Sequence, residues 1–198
     1  MIGIMTISDF PHLAPRLFAQ SSAVLAAQLI GMTLLVDGVG GIIVETEAYA
    51  MDDPASHSFA GSTKRNAAMF GPVGHAYVYR IYGMHWCLNL VCGEPGSAVL
   101  IRALEPTQGI GTIIGQRGLA DPHLLCAGPG RLAQALGVTA ALDGAALDAP
   151  PFELLPAAAA PSIAIGPRIG ITKAAETPWR FGLKGSRFLS RRFPENSS

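Results

Sequence analysis

Charge is what this chain has least of. Asp, Glu, Lys and Arg make up 14% of its 198 residues, against roughly 25% in an average soluble protein. Acidic and basic residues number 14 each, so the formal net charge is zero and the balance points to no polyanionic partner. Only three cysteines are present, Cys87, Cys92 and Cys126. They lack metal-ligand spacing, and Cys87 and Cys92 fall on opposite sides of one β-prone run, which disfavours a bridge. Free buried thiols in a reducing compartment are expected, with no metal and no other cofactor. No basic stretch precedes the first apolar residues, so no secretory leader is expected. The longest apolar run, residues 23–35, is interrupted by Gln28 and is too short to cross a bilayer. A cytoplasmic protein with no membrane partner is expected. The phosphate-cradling Gly-Lys-Ser/Thr loop, the dinucleotide fingerprint and the nucleophile elbow are all missing. Of the three lysines, Lys64, Lys173 and Lys184, none lies in an apolar strand where desolvation would make it a Schiff-base nucleophile.

What the chain does have is apolar mass: 49% of it is hydrophobic, enough for one well-buried domain over residues 1–198. Ser21 and Ser22 can cap a helix running to about Ile30, with Gly31 as its stop. Residues 41–49 read as a strand whose even positions pack while its odd positions present Glu45, Glu47 and Tyr49. Residues 52–72 are loop-like, with a helical turn near 66–69. Runs 75–82 and 84–92 meet at Tyr82-Gly83-Met84 as a hairpin. Residues 98–104 form another strand, and Pro106 opens a weakly helical segment to Arg117. Pro129 starts a short helix that Gly137 ends. Residues 140–161, rich in Ala and Pro, look like a linker or a segment that wraps the core, and 162–171 return as a strand of the same sheet. Strands mixed with separate helices, without regular alternation, predict an α+β domain.

Glu45 and Glu47 are both candidate proton acceptors for water. As i and i+2 neighbours they would raise at least one pKa unless a cation sits nearby; alternatively, both are surface acids on a half-exposed strand. Arg102, sharing a strand face with Leu100 and Leu104, needs an acidic partner or must reach water. Asn89 is a similar polar intruder, either a satisfied core amide or a reader of a ligand's edge. Tyr77 and Tyr79 share a side with His75, where packing is the default. Tyr82 at a turn beside Gly83 is less easily explained by burial and can act as a wedge in a duplex. Arg168, Lys173, Arg180, Lys184, Arg187, Arg191 and Arg192 face only Glu176 and Glu195, making the C-terminal stretch locally basic.

Taken in order, several motifs carry a resemblance. They are Glu45-Thr46-Glu47-Ala48-Tyr49, Ala55-Ser56-His57-Ser58, Arg65-Asn66 with Met69-Phe70, and Tyr77-Val78-Tyr79. Ile81-Tyr82-Gly83-Met84, Cys87 with Asn89, Arg102-Ala103-Leu104-Glu105-Pro106, Gly128-Pro129-Gly130 and Trp179-Arg180-Phe181 complete the set. Together they resemble the 3-methyladenine DNA glycosylase family, of the mammalian alkyladenine glycosylase type, over nearly the whole chain. The resemblance implies a curved, largely antiparallel sheet with peripheral helices and a protruding, DNA-inserting β-hairpin. It implies a monofunctional enzyme acting as a monomer on double-stranded DNA that contains damaged purines. Glu47 would activate water, Arg102 would help position that water, and Tyr49, His57 and Tyr79 would hold the extruded base. Asn89 would crowd out the exocyclic amine of normal guanine, and Tyr82 would fill the gap in the duplex. Lys64 and Arg65, with the C-terminal basic residues, would meet the DNA backbone, and affinity would fall as salt rises. Lys64 stands where relatives often carry proline, and Ala127 where a polar residue is common. A nucleic-acid-binding module without catalysis and a hydrolase of free nucleosides are the competing readings.

Overall fold

In the computed structural model, which describes residues 15–81 and 83–194, eight strands form one antiparallel sheet that branches at its longest acid-bearing strand. After helix α1 (Ser22–Gln28) come β1 (Thr33–Val36) and β2 (Val39–Tyr49), then a 3-10 turn (Ala67–Phe70) and the hairpin strands β3 (Ala76–Ile81) and β4 (His85–Val91). Strand β5 (Ala98–Gln108) is followed by helices α2 (Ile110–Arg117), α3 (Pro122–Leu125) and α4 (Pro129–Ala135). The chain ends with β6 (Phe152–Leu155), β7 (Ile163–Gly166) and β8 (Arg180–Leu183). The main path runs β3-β4-β5-β2-β1-β6.

Strand β2 has β5 along one edge and changes neighbours along the other. Its first half pairs with β1 (Thr33↔Ile42 to Val36↔Val39), and its second half pairs with β8 (Glu45↔Gly182, Thr46↔Phe181, Glu47↔Arg180). The two acids therefore lie in a strand flanked on both sides, not on an exposed edge. Glycine makes the first half possible: a Cβ at Gly41 would fall 1.9 Å from the carbonyl oxygen of Glu105.

The β2–β5 register is irregular where the site will be. Glu45 pairs with Ala103 and Thr46 with Ile101, so Arg102 is the extra residue of a β-bulge, a device that re-aims side chains. The bulge also changes the strand's parity. Val99, Ile101 and Leu104 all enter the main core, whereas Leu100 and Arg102 line a cavity on the other face. The expectation that Leu104 shares the Arg102 face is thus corrected.

The main core gathers Leu25, Leu29, Ile43, Leu88, Leu90, Val99, Ile101 and Leu132. α1 packs on β2 and β5, and α4 packs on β4 and β5. α1 is tied down by Thr46, whose hydroxyl donates to the Ala26 carbonyl at 2.8 Å. On the opposite face a small cluster of Met69, Tyr77, Val91 and Ala98, with Tyr49 and Tyr79 against it, forms a separate aromatic layer.

Three further expectations change. Pro106 lies inside β5, opposite Gly41, and the helix starts at Ile110. The segment 140–161 is no linker: β6 within it pairs with β1, and Phe152 and Leu154 are buried in the alternation of a strand that the surrounding Ala and Pro obscure. The strand expected over 162–171 ends at Gly166. The expected hairpin is present, with Ile81 opposite His85 and Gly83 at φ +68° in its turn; Tyr82 lies outside the described residues. Among those residues no helix is long and apolar enough to cross a membrane.

Candidate active site

The aromatic layer walls a cavity of about 260 Å³, at the small end of ligand pockets and sized for a single heterocycle. Its lining includes Tyr49, His57, Tyr77, Tyr79, Asn89, Leu100 and Arg102, with Ile169-Gly170-Ile171 closing one side. Tyr77 and Tyr79 stack with ring centroids 5.5 Å apart, and His57 meets Tyr79 edge-on at 4.5 Å. Tyr77 is two residues from Tyr79 on the same strand face, and its register partner is Asn89. Asn89 is buried and donates its amide to the Tyr77 carbonyl at 3.0 Å.

His57 is delivered by the 52–72 loop, and Asn66 gives that loop its shape. The Asn66 amide donates to the carbonyls of His57 and Gly61, and its Oδ1 accepts from the backbone and hydroxyl of Thr63. The His57 Nδ1 lies 3.0 Å from the Tyr77 hydroxyl. Burial, and after it the Arg65 charge, lowers the His57 pKa, so the ring stays neutral at physiological pH. Burial also pushes the Tyr77 phenol up to about 12 and raises Tyr79 and Tyr49 further. The aromatic wall of the cavity is uncharged and π-rich, and Arg102 is the cation in its lining.

Directly beneath it lies Glu47. Its residue is fully buried and is not itself part of the lining, yet three of its donors belong to lining residues. Oε2 accepts from the Tyr49 hydroxyl at 2.9 Å and from Arg102 Nη1 at 3.1 Å; Oε1 accepts from the Ile169 N–H at 2.7 Å. Burial raises the Glu47 pKa; Arg102, the Ile169 N–H and Tyr49 pull it back, and Glu45 adds to the rise. Arg102 bridges the two acids, its Nε donating to Glu45 Oε1 at 3.3 Å. Both carboxylates are buried and paired, so neither is a surface acid.

Tyr49 is held from behind by Arg168, whose guanidinium lies 4.7 Å from the Tyr49 ring centroid and 5.4 Å from that of Trp179. Arg168 is buried and ion-paired to Asp53, and donates to the Ala48 carbonyl at 2.9 Å. Arg180 is likewise buried against Glu45 at 2.7 Å. These two of the seven expected surface cations are therefore internal, while Lys173, Lys184, Arg187, Arg191 and Arg192 remain exposed, as do Lys64 and Arg65. Arg65 Nη2 donates to the Arg80 carbonyl at 3.0 Å.

Sequence reasoning missed Arg168, the Ile169 amide, Arg180 and Asn66. A lone arginine in an apolar run was the available signal for Arg168. No side chain advertises a backbone N–H. Among the described residues, no group of three or more His, Cys, Asp or Glu could hold a metal ion.

A family model described as methylpurine-DNA glycosylase matches residues 16–187. The chain belongs to that family. A relative in Rhodopseudomonas palustris is 62% identical over 187 residues, covering 93% of this chain and 94% of that one. One in Rhizobium meliloti is 60% identical over 176 residues (89% and 95%), and one in Nitrosospira multiformis is 58% identical over 178 residues (89% and 92%). All three carry the name "Putative 3-methyladenine DNA glycosylase". For a methylpurine-DNA glycosylase, a cavity sized for one heterocycle beside a buried acid is the geometry to explain.

Proposed function

We propose that this glycosylase excises alkylated or deaminated purines, of the 3-methyladenine, 7-methylguanine and hypoxanthine class, from double-stranded DNA. The observation that carries this reading is the double role of Arg102, which lines the aromatic cavity and donates to Glu47 beneath it. A base inside a duplex is unreachable and must be extruded at a cost of about a few kcal/mol, least for a damaged one. Stacking on Tyr79, Tyr77 and Tyr49 offsets that cost, since base–aromatic stacking contributes roughly 1–3 kcal/mol. Tyr82, which precedes Gly83 in the sequence, fills the vacated position. Neutral His57 contacts the base without repelling a cationic purine, and Asn89 crowds the exocyclic amine of guanine.

The bond from the sugar's anomeric carbon to the purine nitrogen breaks with its electron pair leaving on the base, which departs neutral if alkylation had made it cationic and, if it is hypoxanthine, as an anion that takes a proton from solvent. Glu47 takes a proton from water as the water oxygen bonds to the anomeric carbon, and its negative charge stabilises the oxocarbenium-like sugar. Arg102 orients both the carboxylate and the water. The products are a free base and an abasic site. No lysine participates. Lys64 and Arg65 contact the backbone, and the chain acts as a cytoplasmic monomer.

A duplex carrying one 3-methyladenine or hypoxanthine tests this reading: free base and an alkali-labile site are expected. Tight binding of that duplex without release would leave a binding module instead. Turnover of free nucleosides, indifferent to Tyr82→Ala, would make it a nucleoside hydrolase.

A further inference from the structure

Glu45 is bonded more completely than Glu47, and to different ends of the chain. Its Oε1 accepts from Arg102 Nε (3.3 Å), Arg180 Nε (2.7 Å) and the Ser190 hydroxyl (2.9 Å); its Oε2 accepts from the Ser190 N–H (2.6 Å). It is fully buried and outside the cavity lining. Of its donor residues only Arg102 lines the cavity, whereas all three donors to Glu47 do, so Glu47 is the carboxylate coupled to the cavity.

The stretch around Ser190 lies across β8 like a strap. Phe193 stacks 3.9 Å from the Arg180 guanidinium, and Arg180 Nη2 donates to the Arg191 carbonyl. Gly182 permits that approach, because a Cβ there would fall 2.4 Å from the Phe193 ring. Ser190 and Phe193 stand beyond residue 187, where the family match ends.

We infer that Glu45, clamped by Ser190, is a positioning residue: it holds Arg102 by Nε so that Nη1 stays on Glu47, and its charge offsets the second guanidinium, Arg180. The inference rests on Glu47 being the base, as proposed above. Two carboxylates and two guanidiniums make the buried cluster neutral. Without the Glu45 charge, Arg102 acts on Glu47 unopposed and makes it a weaker base. The groups facing Glu47 are Glu45 and Tyr49 from β2, Arg102 from β5, Arg180 from β8 and the Ile169 N–H, with Cys87 and Tyr79 across the cavity. Of these, Glu45 supplies the charge that raises the Glu47 pKa after burial has done so.

Single-turnover base release at saturating enzyme, with duplex affinity measured separately, tests this in the full chain. Glu45→Gln keeps the side chain's shape and removes its charge. Release is expected to slow by about 10- to 100-fold, the scale of a small misplacement of reacting groups, with damaged-duplex Kd within about twofold. The acid limb of the rate profile is expected to move to lower pH, which a merely structural role would not do. Wild-type release with an unmoved limb overturns the inference. If Glu45→Gln fails to fold, Ser190→Ala decides: release slowed about fivefold at unchanged Kd supports the clamp, and a wild-type rate sinks it. Failure of the underlying reading is distinguishable, because the unsubstituted protein would then release no base or Glu47→Gln would still turn over.

Discussion

The backbone N–H of Ile169 donates to Glu47 Oε1 at 2.7 Å, joining residues 122 positions apart in the chain. With Tyr49 and Arg102 on the other oxygen, the carboxylate is fixed in plane beneath the cavity. Glu47→Gln keeps the volume and one acceptor oxygen but loses the charge. Release of 3-methyladenine in a single turnover is expected to fall by about 10²- to 10⁴-fold, the usual weight of a general base. Affinity for the damaged duplex is expected to persist. Release within threefold of the unsubstituted rate would remove Glu47 from the chemistry.

The pH profile carries a second signature. Burial raises the Glu47 pKa, and a base works only when deprotonated, so the rate falls as pH drops through that raised value. The acid limb is therefore expected above the roughly 4.3 of a free glutamate. A log-rate plot flat down to that value would contradict the assigned base.

His57 is shifted the other way, chiefly by burial and then by Arg65. Its NMR titration midpoint is expected below the roughly 6.5 of a free imidazole. Arg65→Gln, which removes the second cause, is expected to move the midpoint upward. A downward or absent movement would mean that Arg65 does not act on the ring.

Stability should be sensitive at Asp53, which pairs with buried Arg168. Asp53→Asn leaves that guanidinium without its carboxylate, a change worth about 3–5 kcal/mol. At roughly 2–4 °C per kcal/mol for a chain of this size, Tm is expected to fall by some 6–20 °C. Thermal unfolding followed by circular dichroism measures it, and a loss under about 2 °C would show the pair to be dispensable.

Duplex affinity should weaken with salt in proportion to the phosphates met. Removing Lys64 or Arg65, both exposed, is expected to lessen the slope of log K against log salt by about 0.9 per lost contact. Unchanged slopes in both variants would move the backbone contact elsewhere on the surface.

The sequence exposes much of the sheet, because the β-prone runs of β2, β3 and β4 and the hairpin turn between the last two are local patterns. Glu47, Tyr49, Tyr79, Asn89 and Arg102 stand out as polar or aromatic residues in apolar strands, His57 is marked only by the family resemblance, and the fold gathers all six around one cavity. What stays hidden is non-local. Strand β6 has only two inward residues, Phe152 and Leu154, amid Ala and Pro. The bulge at Arg102 is a mismatch of two strands and belongs to neither alone. Arg168 and Arg180 read as part of a solvent-facing basic tail because their partners, Asp53 and Glu45, come from the other end of the chain.

The late partner of β2 has a consequence for how the enzyme is made. Glu45 and Glu47 emerge from the ribosome well before their partners: Arg180 of β8 follows Glu45 by 135 positions and Ser190 by 145. Such distant pairings form slowly, since the loop between them must close first. A nascent chain therefore holds an unfinished charge cluster until β8 and the segment around Ser190 have emerged.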